Sequence, residues 1–195
     1  MNHVKEYFQE VAEIAKSIDY EIIESFANVL RTTRDISNGR VFVLGVGGSA
    51  GNASHLVNDL RKLCNIETYA PTDNASELTA RTNDEGFDTV FIEYLRTSRL
   101  SEADTVIVLS VGGGDPDRQV SVGLIKGIDY AKSVGACVVS IVGKPDGHAA
   151  IRSDLAIIVP QVNKDRITPH SEEFQAVVWH CIVSHPQLQI KKTKW

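Results

Sequence analysis

Four short, uninterrupted apolar runs, each rich in β-branched residues, constrain the fold of this chain more than any other feature. Runs of this kind are typical of parallel strands that are covered on both faces. Helical patterns separate them, and alternating strands and helices predict a doubly wound, parallel α/β sheet with right-handed crossovers. A weaker run at Glu67–Tyr69 is a candidate fifth strand. The four runs are Val41–Leu44, Thr105–Leu109, Cys137–Val142 and Leu155–Val159.

Apolar residues at three- and four-residue spacings predict helices before, between and after these strands. The segment Val4–Ile36 is predicted to form two leading helices, which would pack on the sheet or on a partner chain. A length of 195 residues suits one ordinary domain, and no linker interrupts the pattern, so residues 1–195 are predicted to form a single domain. The other predicted helices are Asn52–Leu63, Ser76–Thr82, Thr89–Leu95, Val120–Val134 and Ser171–Val183.

Composition limits the kinds of partner. The net charge is -5 and the 20 basic residues are scattered, which argues against a nucleic-acid surface. No apolar run approaches the ~20 residues of a membrane span, and Met1–Lys16 lacks the apolar core of a signal peptide. Cys64, Cys137 and Cys181 form no paired motif and are expected to be reduced, buried thiols. We therefore expect a cytoplasmic protein without nucleic-acid or membrane partners.

A glycine-rich turn, Gly45–Gly51, follows the first predicted strand directly and leads into a helix. Glycine lets the backbone approach a ligand closely, and the start of a helix offers free amides and the positive end of its dipole. Ser49 can add a hydroxyl donor. The turn is not a Walker loop, because no lysine follows it, and a tight turn that simply needs glycine is the alternative. Anion binding is the favoured interpretation.

A second glycine-rich loop, Ser110–Asp115, has the same placement after the strand that ends at Leu109. The carboxyl ends of parallel strands meet at one edge of a sheet, and ligands bind there. Two such loops at one edge therefore predict a site for a phosphorylated small molecule, and a sugar phosphate is the favoured ligand.

Titratable residues mark two of the predicted helices. His55 and Asp59 stand four apart on the helix that leaves the first loop, so they share one face. The last helix carries Glu172, Gln175 and His180 in an otherwise apolar segment. Spacing alone also fits a surface ion pair and a solvated histidine, so it does not decide between those explanations and a metal or acid–base site.

Several of these segments together resemble the sugar isomerase (SIS) domain proteins, and within that group the phosphoheptose isomerases. The resemblance rests on Gly45–Asp59, Asn83–Phe87, Ser110 and the helix with Glu172 and His180, and it covers essentially the whole chain. It implies a flavodoxin-like SIS fold and a homotetramer with active sites at subunit contacts. It also implies interconversion of sedoheptulose 7-phosphate and D-glycero-D-manno-heptose 7-phosphate.

The resemblance implies roles for individual residues as well. His55, Asp59, Glu172 and His180 correspond to the family's zinc site, with another divalent metal as the alternative. Asp59 and His180 correspond to the pair that transfers the proton. The candidate substrate contacts are Val46, Gly47, Gly48, Ser49, Asn83, Asp84, Ser110, Gly112, Arg118 and Glu172.

Departures from the family pattern bear on the substrate and the metal. The family's Ser-Thr-Ser-Gly-x-Ser phosphate loop is here Ser110–Asp115, which has lost most hydroxyl donors and gained a carboxylate. Arg118, in an apparent insertion after this loop, could replace the lost phosphate contacts. Asp59 is one methylene shorter than the family's Glu, and Glu172 is charged where the family has Gln.

The spacing of the last helix adds a geometric constraint. Glu172 and His180 are eight residues apart, which is roughly 12 Å along a helix axis. One metal could bind both Glu172 and His180 only if their side chains were fully extended or if Glu172 lay before the regular helix. The other possibility is that a neighbouring subunit contributes a ligand. The flanking His170 and His185 are expected to be surface residues.

Three alternatives to a heptose isomerase follow from the sequence. A non-catalytic SIS protein that binds a sugar phosphate for regulation fits the altered second loop. An isomerase of a different phosphosugar fits the same loop. A plain nucleotide-binding Rossmann enzyme is disfavoured, because no acidic residue ends a clear second strand at the ribose-binding position.

Overall fold

A computed structural model describes residues 2–194 and contains a five-stranded, all-parallel sheet in the order β2-β1-β3-β4-β5, with helices on both faces. The strands are β1 Val41–Gly45, β2 Thr68–Tyr69, β3 Thr105–Ser110, β4 Cys137–Val142 and β5 Leu155–Ile158. The α-helices are α1 His3–Ser17, α2 Tyr20–Asp35, α3 Gly48–Cys64, α4 Ala75–Asp84, α5 Val90–Thr97, α6 Val122–Ser133, α7 His148–Arg152 and α8 Ile167–Val183. The predicted doubly wound α/β fold with two leading helices is confirmed.

The core lies in two layers, one on each face of the sheet, because successive strand residues point to opposite faces. Along β3, Ile107 and Leu109 pack with α1, α2, α3 and α8, whereas Val106 and Val108 pack with α5, α6 and α7. All six residues of β3 are buried. Burying one such side chain contributes about 1.5–3 kcal/mol, which is why the central strands are continuously apolar.

The two leading helices pack on the first of these layers, as the sequence allows. Ile14 of α1 and Phe26 and Leu30 of α2 are buried in the same cluster as Ile107 and Trp179. Outward-facing apolar residues remain on α1, where Val4 and Phe8 are exposed.

Several helix boundaries differ from the sequence prediction, and the starts of α3 and α8 each move by four residues. Helix α3 begins at Gly48 rather than Asn52, because Gly47 takes a positive φ of 64° and turns the chain straight into the helix. Helix α8 begins at Ile167 rather than Ser171, and the five-residue α7 was not predicted.

The cysteines are free, as expected, but not all are buried. Cys64 is buried and burial raises its pKa to about 11, while Cys137 is half-buried. Cys181 is exposed on α8, so the expectation of a buried thiol is wrong there. Among the helices formed by residues 2–194, none is both long enough and apolar enough to cross a membrane.

The strand order places both glycine-rich loops at one position. The chain leaves β1 for β2 on one side and returns to β3 on the other, so the strand order reverses beside β1. In open parallel sheets, ligands bind outside the carboxyl ends of the strands at such a reversal. Strands β1 and β3 pair in register up to Gly45 and Leu109, so the loops that follow them start side by side.

Candidate active site

The first glycine-rich loop presents backbone rather than side chains. Val46, Gly47 and Gly48 are exposed, and the first amides of α3 have no carbonyl partner within the helix. Ser49, by contrast, is only 2% exposed, so its hydroxyl is not presented to solvent. The loop can therefore donate to a ligand through its amides, and the predicted hydroxyl contact from Ser49 has no support in this geometry.

The second loop is held by its own residues. Ser110 is buried, and its Oγ accepts a hydrogen bond of 3.0 Å from the amide of Gly113. Reciprocal backbone hydrogen bonds between Asp115 and Val120 then close the short insertion. The insertion and α7 flank a cleft of about 420 Å³ that Gly112 lines. The loop is therefore a preformed rim, with its serine hydroxyl engaged internally.

Arg118 lies at the tip of this insertion. Its side chain is 79% exposed, and its Nε is 3.6 Å from Oδ2 of Asp115. The Asp115 carboxylate also accepts a 3.0 Å hydrogen bond from the Arg118 amide. Lys144 lines the same cleft, and so do the carboxylates of Asp115, Asp117 and Asp146, so the cleft presents charges of both signs.

Asn83 and Asp84 end α4 on the surface. Both are exposed, and Nδ2 of Asn83 donates to Oδ1 of Asp84 at 2.7 Å. Their predicted contact with substrate stays a prediction.

Three of the four predicted metal ligands converge between α3 and α8. Ligand atoms of His55, Asp59 and His180 all lie within 4.8 Å of one another. His55 Nε2 is 3.8 Å from Oδ2 of Asp59, and the rings of His55 and His180 are 5.4 Å apart and perpendicular. Two imidazoles and one carboxylate are the donor set of many catalytic zinc sites, which keep a further position open.

A hydrogen bond to the backbone orients the imidazole of His180 for metal binding. Its Nδ1 lies 2.7 Å from the carbonyl oxygen of Ala176, one turn earlier on α8. A carbonyl oxygen only accepts, so Nδ1 carries the proton and donates it. The other nitrogen, Nε2, then keeps its lone pair, which is the arrangement that metal-binding histidines commonly show.

Trp179 forms the inner wall of the cluster. It is 1% exposed, its indole stacks on His180 at 3.5 Å, and the ring of His55 stands edge-on to it at 4.6 Å. This buried aromatic surface restricts both imidazoles from one side. Their other side stays open, because the His55 side chain is 56% exposed and His180 is exposed too.

Glu172 does not join this cluster. Its carboxylate lies instead against Gly48, where an added Cβ atom would be 2.5 Å from Oε2 and 2.7 Å from Oε1. Helices α3 and α8 run in the same direction, since Glu172 lies beside the start of α3 and His180 lies beside His55 further along. The eight residues between Glu172 and His180 therefore keep the two side chains about 12 Å apart along α8 in the folded protein.

Asn52 holds the two helices in this register, a role that the sequence prediction missed. Its Nδ2 donates to the Glu172 carbonyl oxygen at 2.9 Å and to Oε1 of Gln175 at 3.0 Å. Gln175 is fully buried, and its Nε2 has no hydrogen-bond partner among residues 2–194. The sequence does contain a signal for this contact. Asn52 lies four positions before the buried Leu56, and Gln175 lies four positions before the buried Trp179, so each polar residue falls on the inward face of its helix.

Both flanking histidines differ from their predicted surface positions. His170 is 2% exposed and lies between the carboxylates of Glu10 and Glu173. The His185 side chain is only 18% exposed, and its Nε2 is 3.1 Å from Glu24. Neither belongs to the cluster of His55, Asp59 and His180.

Comparison with known proteins identifies the family. Residues 6–143 match the SIS domain family, a stretch that ends before α8. A phosphoheptose isomerase of Chlorobaculum tepidum is 30% identical over 190 residues, which are 91% of this chain and 83% of the relative. The chain belongs to the phosphoheptose isomerase family of SIS-domain proteins.

Two further likenesses are consistent with this family. The lincomycin biosynthesis protein LmbN of Streptomyces lincolnensis is 35% identical over 156 residues, or 76% of this chain. The chain spans only 56% of that relative's length. The structure of a phosphoheptose isomerase from Neisseria gonorrhoeae superposes with a TM-score of 0.79 over 92% of this chain and 95% of that one, at 23% identity. This second likeness shows a shared fold.

Proposed function

We propose that this chain is an aldose–ketose isomerase that interconverts sedoheptulose 7-phosphate and D-glycero-D-manno-heptose 7-phosphate. One observation carries the proposal: His55, Asp59 and His180 meet on the helix that leaves the first glycine-rich loop and on the helix packed beside it, in a chain that belongs to the phosphoheptose isomerase family. A protein that only binds sugar phosphate has no need of such a cluster. The altered second loop leaves an isomerase of another phosphosugar as the second candidate.

The cluster is also the proposed metal site, with His55, Asp59 and His180 as ligands. Its two imidazoles and one carboxylate fit zinc, and the same donors also tolerate manganese or cobalt. When bound, such a metal polarises the substrate's carbonyl and hydroxyl oxygens. Glu172 is not included among the ligands, because its carboxylate lies against Gly48.

The chain's own residues must move a proton between two adjacent carbons. A base takes the proton from the carbon next to the carbonyl, and an acid returns a proton to the former carbonyl carbon, through an enediol. Asp59 and His180 are the proposed pair. The reaction runs in both directions, so each member serves as base in one direction and as acid in the other.

His180 has a single nitrogen for its two proposed tasks. Nδ1 is committed to the Ala176 carbonyl, so only Nε2 can bind a metal or carry the reacting proton. A nitrogen that holds a metal has no lone pair for a proton. The two roles are therefore alternatives, and metal content of a His180 variant separates them.

The proposed assembly is a cytoplasmic homotetramer in which residues 1–195 act as one domain. The open side of the cluster and the exposed Val4 and Phe8 on α1 support contacts with other copies of the chain. A monomer in light scattering at micromolar concentration contradicts this assembly.

The decisive experiment is turnover of sedoheptulose 7-phosphate by purified protein, with added zinc and after chelation. We expect isomerisation that chelation abolishes and zinc restores. Protein that holds no metal, shows no turnover with zinc, and still binds the sugar phosphate is instead a regulatory binding protein. Turnover of a different phosphosugar alone establishes the second candidate.

A further inference from the structure

The indole of Trp179 is buried at a point of α8 where its N–H has nothing to bind. The residue is 1% exposed, and its Nε1 has no hydrogen-bond partner among residues 2–194. A buried indole usually finds an acceptor for its N–H, and a buried donor without one costs stability. Leucine or phenylalanine would fill this part of the core without that cost. Burial of apolar surface alone therefore does not account for a tryptophan at this position.

The ring of Trp179 contacts both imidazoles of the cluster. His180 stacks on it, with ring centroids 3.5 Å apart and planes 26° apart. His55 stands against it at 4.6 Å, with the planes 63° apart, and the two imidazoles are perpendicular to each other. One buried side chain thus touches two histidines that come from different helices.

The two imidazoles differ in what else orients them. Metal-binding histidines usually donate their second nitrogen to a carbonyl or carboxylate oxygen, which fixes the ring. His180 has such a bond, from Nδ1 to the Ala176 carbonyl oxygen at 2.7 Å. His55 has none within the part of the chain that the structure describes: its Nε2 is 3.8 Å from Oδ2 of Asp59, which is beyond hydrogen-bond distance. The His55 side chain is also 56% exposed, so the indole is the fixed surface against which its ring is set.

We propose that Trp179 is a positioning residue that orients the His55 ring for the proposed metal, in place of the hydrogen bond that orients His180. The ring of the indole does this rather than its N–H, which explains a tryptophan whose N–H is unpaired. Loss of the indole should therefore release His55 and leave His180 held by the Ala176 carbonyl. The inference rests on the proposed metal site for its purpose, but the order of the His55 ring can be measured in metal-free protein.

Nuclear magnetic resonance of the imidazoles in metal-free protein tests the inference without turnover. Relaxation of the ring carbon–proton pairs reports how far each imidazole moves, and the ring nitrogens report its tautomer. In the natural protein we expect both rings to be ordered. In Trp179→Leu the His55 ring should become as mobile as a solvated side chain, whereas His180 should stay ordered with the proton on Nδ1. Trp179→Phe keeps a flat ring and should preserve most of the order of His55.

Titration with zinc against a chromogenic chelator measures the consequence for metal binding. Loss of a group that orients a metal ligand weakens binding about 10- to 100-fold, and we expect a loss in this range in Trp179→Leu. The same substitution should have no further effect in a His55→Ala background, because the ligand that Trp179 orients is then already absent. Such non-additivity assigns the effect to His55 rather than to the helix as a whole.

Phe174→Leu is the matched control. Phe174 is a buried aromatic residue of the same helix and the same apolar cluster, and the ring contacts of the two imidazoles do not include it. This variant should melt at a lower temperature but keep an ordered His55 ring and natural zinc affinity. If Trp179→Leu does not fold, Trp179→Met replaces it, because a flexible side chain fills the space without offering a rigid surface.

Two results overturn the inference. One is a folded Trp179→Leu or Trp179→Met protein whose His55 ring is as ordered as in the natural protein. The other is an equal release of His55 and His180, or a loss of zinc affinity that persists in the His55→Ala background, since Trp179 would then be a general core residue. A natural protein with an ordered His55 ring but no affinity for zinc refutes the proposed metal site, and the positioning role still stands if Trp179→Leu releases that ring.

Discussion

The imidazole Nε2 of His170 lies 2.7 Å from Oε2 of Glu10, so a buried hydrogen bond joins the last helix to the first. Nδ1 of the same ring is 2.6 Å from Oε1 of Glu173, which leaves both ring nitrogens facing carboxylates. The other oxygen of Glu10 accepts from Asn163 and Arg166 at 2.7 and 2.9 Å. The attachment of α1 therefore depends on charged groups as well as on apolar packing.

The first prediction concerns acid stability. Hydrogen bonds from Asn163 first, then from His170 and Arg166, lower the pKa of Glu10 from 4.5 to about 2. A carboxylate with a depressed pKa stabilises the folded state above its unfolded pKa and loses that contribution as the pH falls through the folded value. Between about pH 4.5 and pH 2, the melting temperature of the natural protein should therefore fall more steeply than that of Glu10→Gln.

Thermal unfolding followed by circular dichroism across this pH range measures the effect. Glu13→Gln is the control, because Glu13 lies on the same helix but is exposed. At neutral pH, Glu10→Gln should melt at a lower temperature than the control. Parallel pH curves for the two variants would mean that Glu10 contributes nothing through its charge.

The second prediction concerns Asp104, which precedes β3 and is 2% exposed. Burial opposes its ionisation, but hydrogen bonds from Arg40 and Ser101 hold its pKa below the usual range. Asp104→Ala leaves the Arg40 guanidinium without its carboxylate and should lower the free energy of unfolding by about 3–5 kcal/mol. Urea unfolding measures this, with the exposed neighbour Glu102→Ala as control; equal losses in both variants would refute it.

The third prediction concerns His180. In His180→Ala the cluster loses one imidazole, so we expect zinc content to fall and isomerisation to slow by at least ~100-fold. The fold should persist, because alanine is well tolerated in a helix. Elemental analysis and a turnover assay measure both effects. His185→Ala should retain metal and activity, since His185 faces Glu24.

Two outcomes of that experiment would revise the site. A His180→Ala protein with full activity would move the chemistry elsewhere along the sheet edge. A His180→Ala protein that keeps its zinc but loses turnover would assign His180 to proton transfer alone.

The fourth prediction concerns Asp59, whose side chain is 14% exposed and faces His55. Asp59→Asn keeps the size of the side chain and removes its basicity, so turnover should be abolished while sugar-phosphate binding remains measurable. Calorimetric titration with sedoheptulose 7-phosphate, beside the turnover assay, separates the two. Lys62→Gln, at an exposed position of the same helix, is the control for an altered charge on α3. Retained turnover in Asp59→Asn would exclude Asp59 as a proton carrier.

The fifth prediction concerns Arg118. Its guanidinium is free to reach a phosphate in the adjacent cleft, because it is largely exposed and only loosely paired with Asp115. Losing one charge-assisted hydrogen bond costs about 1.5–3 kcal/mol, so Arg118→Ala should raise KM roughly 10- to 140-fold with kcat nearly unchanged. Steady-state kinetics measure this, with Arg99→Ala as a control on another loop. An unchanged KM would make Arg118 a surface charge without a role in binding.

The sheet and its loops were predictable because local patterns determine them. Continuous β-branched runs such as Val106–Val108 need cover on both faces, and that requirement leaves few arrangements other than a parallel sheet between helices. The glycine-rich segments after β1 and β3 could also be recognised directly in the sequence. The short helix α7 could not be predicted, because five residues are too few to show a helical repeat of apolar positions.

The site was harder to predict, since it depends on how two distant helices align. Spacing places His55 beside Asp59, but nothing local says that α8 runs parallel to α3 in the register that Asn52 fixes. That register brings His180 into the cluster and holds Glu172 away from it. The burial of His170 was not predicted for a similar reason, because its buried partner Glu10 lies 160 residues earlier in the chain.

The meeting of α3 with α8 has a consequence for the order of events during synthesis. Asp59 leaves the ribosome about 120 residues before His180, and chains grow at roughly 5–20 residues per second. For that interval the growing chain carries two ligands of the cluster and lacks the third. A chain truncated before α8 contains every strand of the sheet, yet it cannot complete the cluster, so retention of the proposed metal should distinguish finished molecules from prematurely terminated ones.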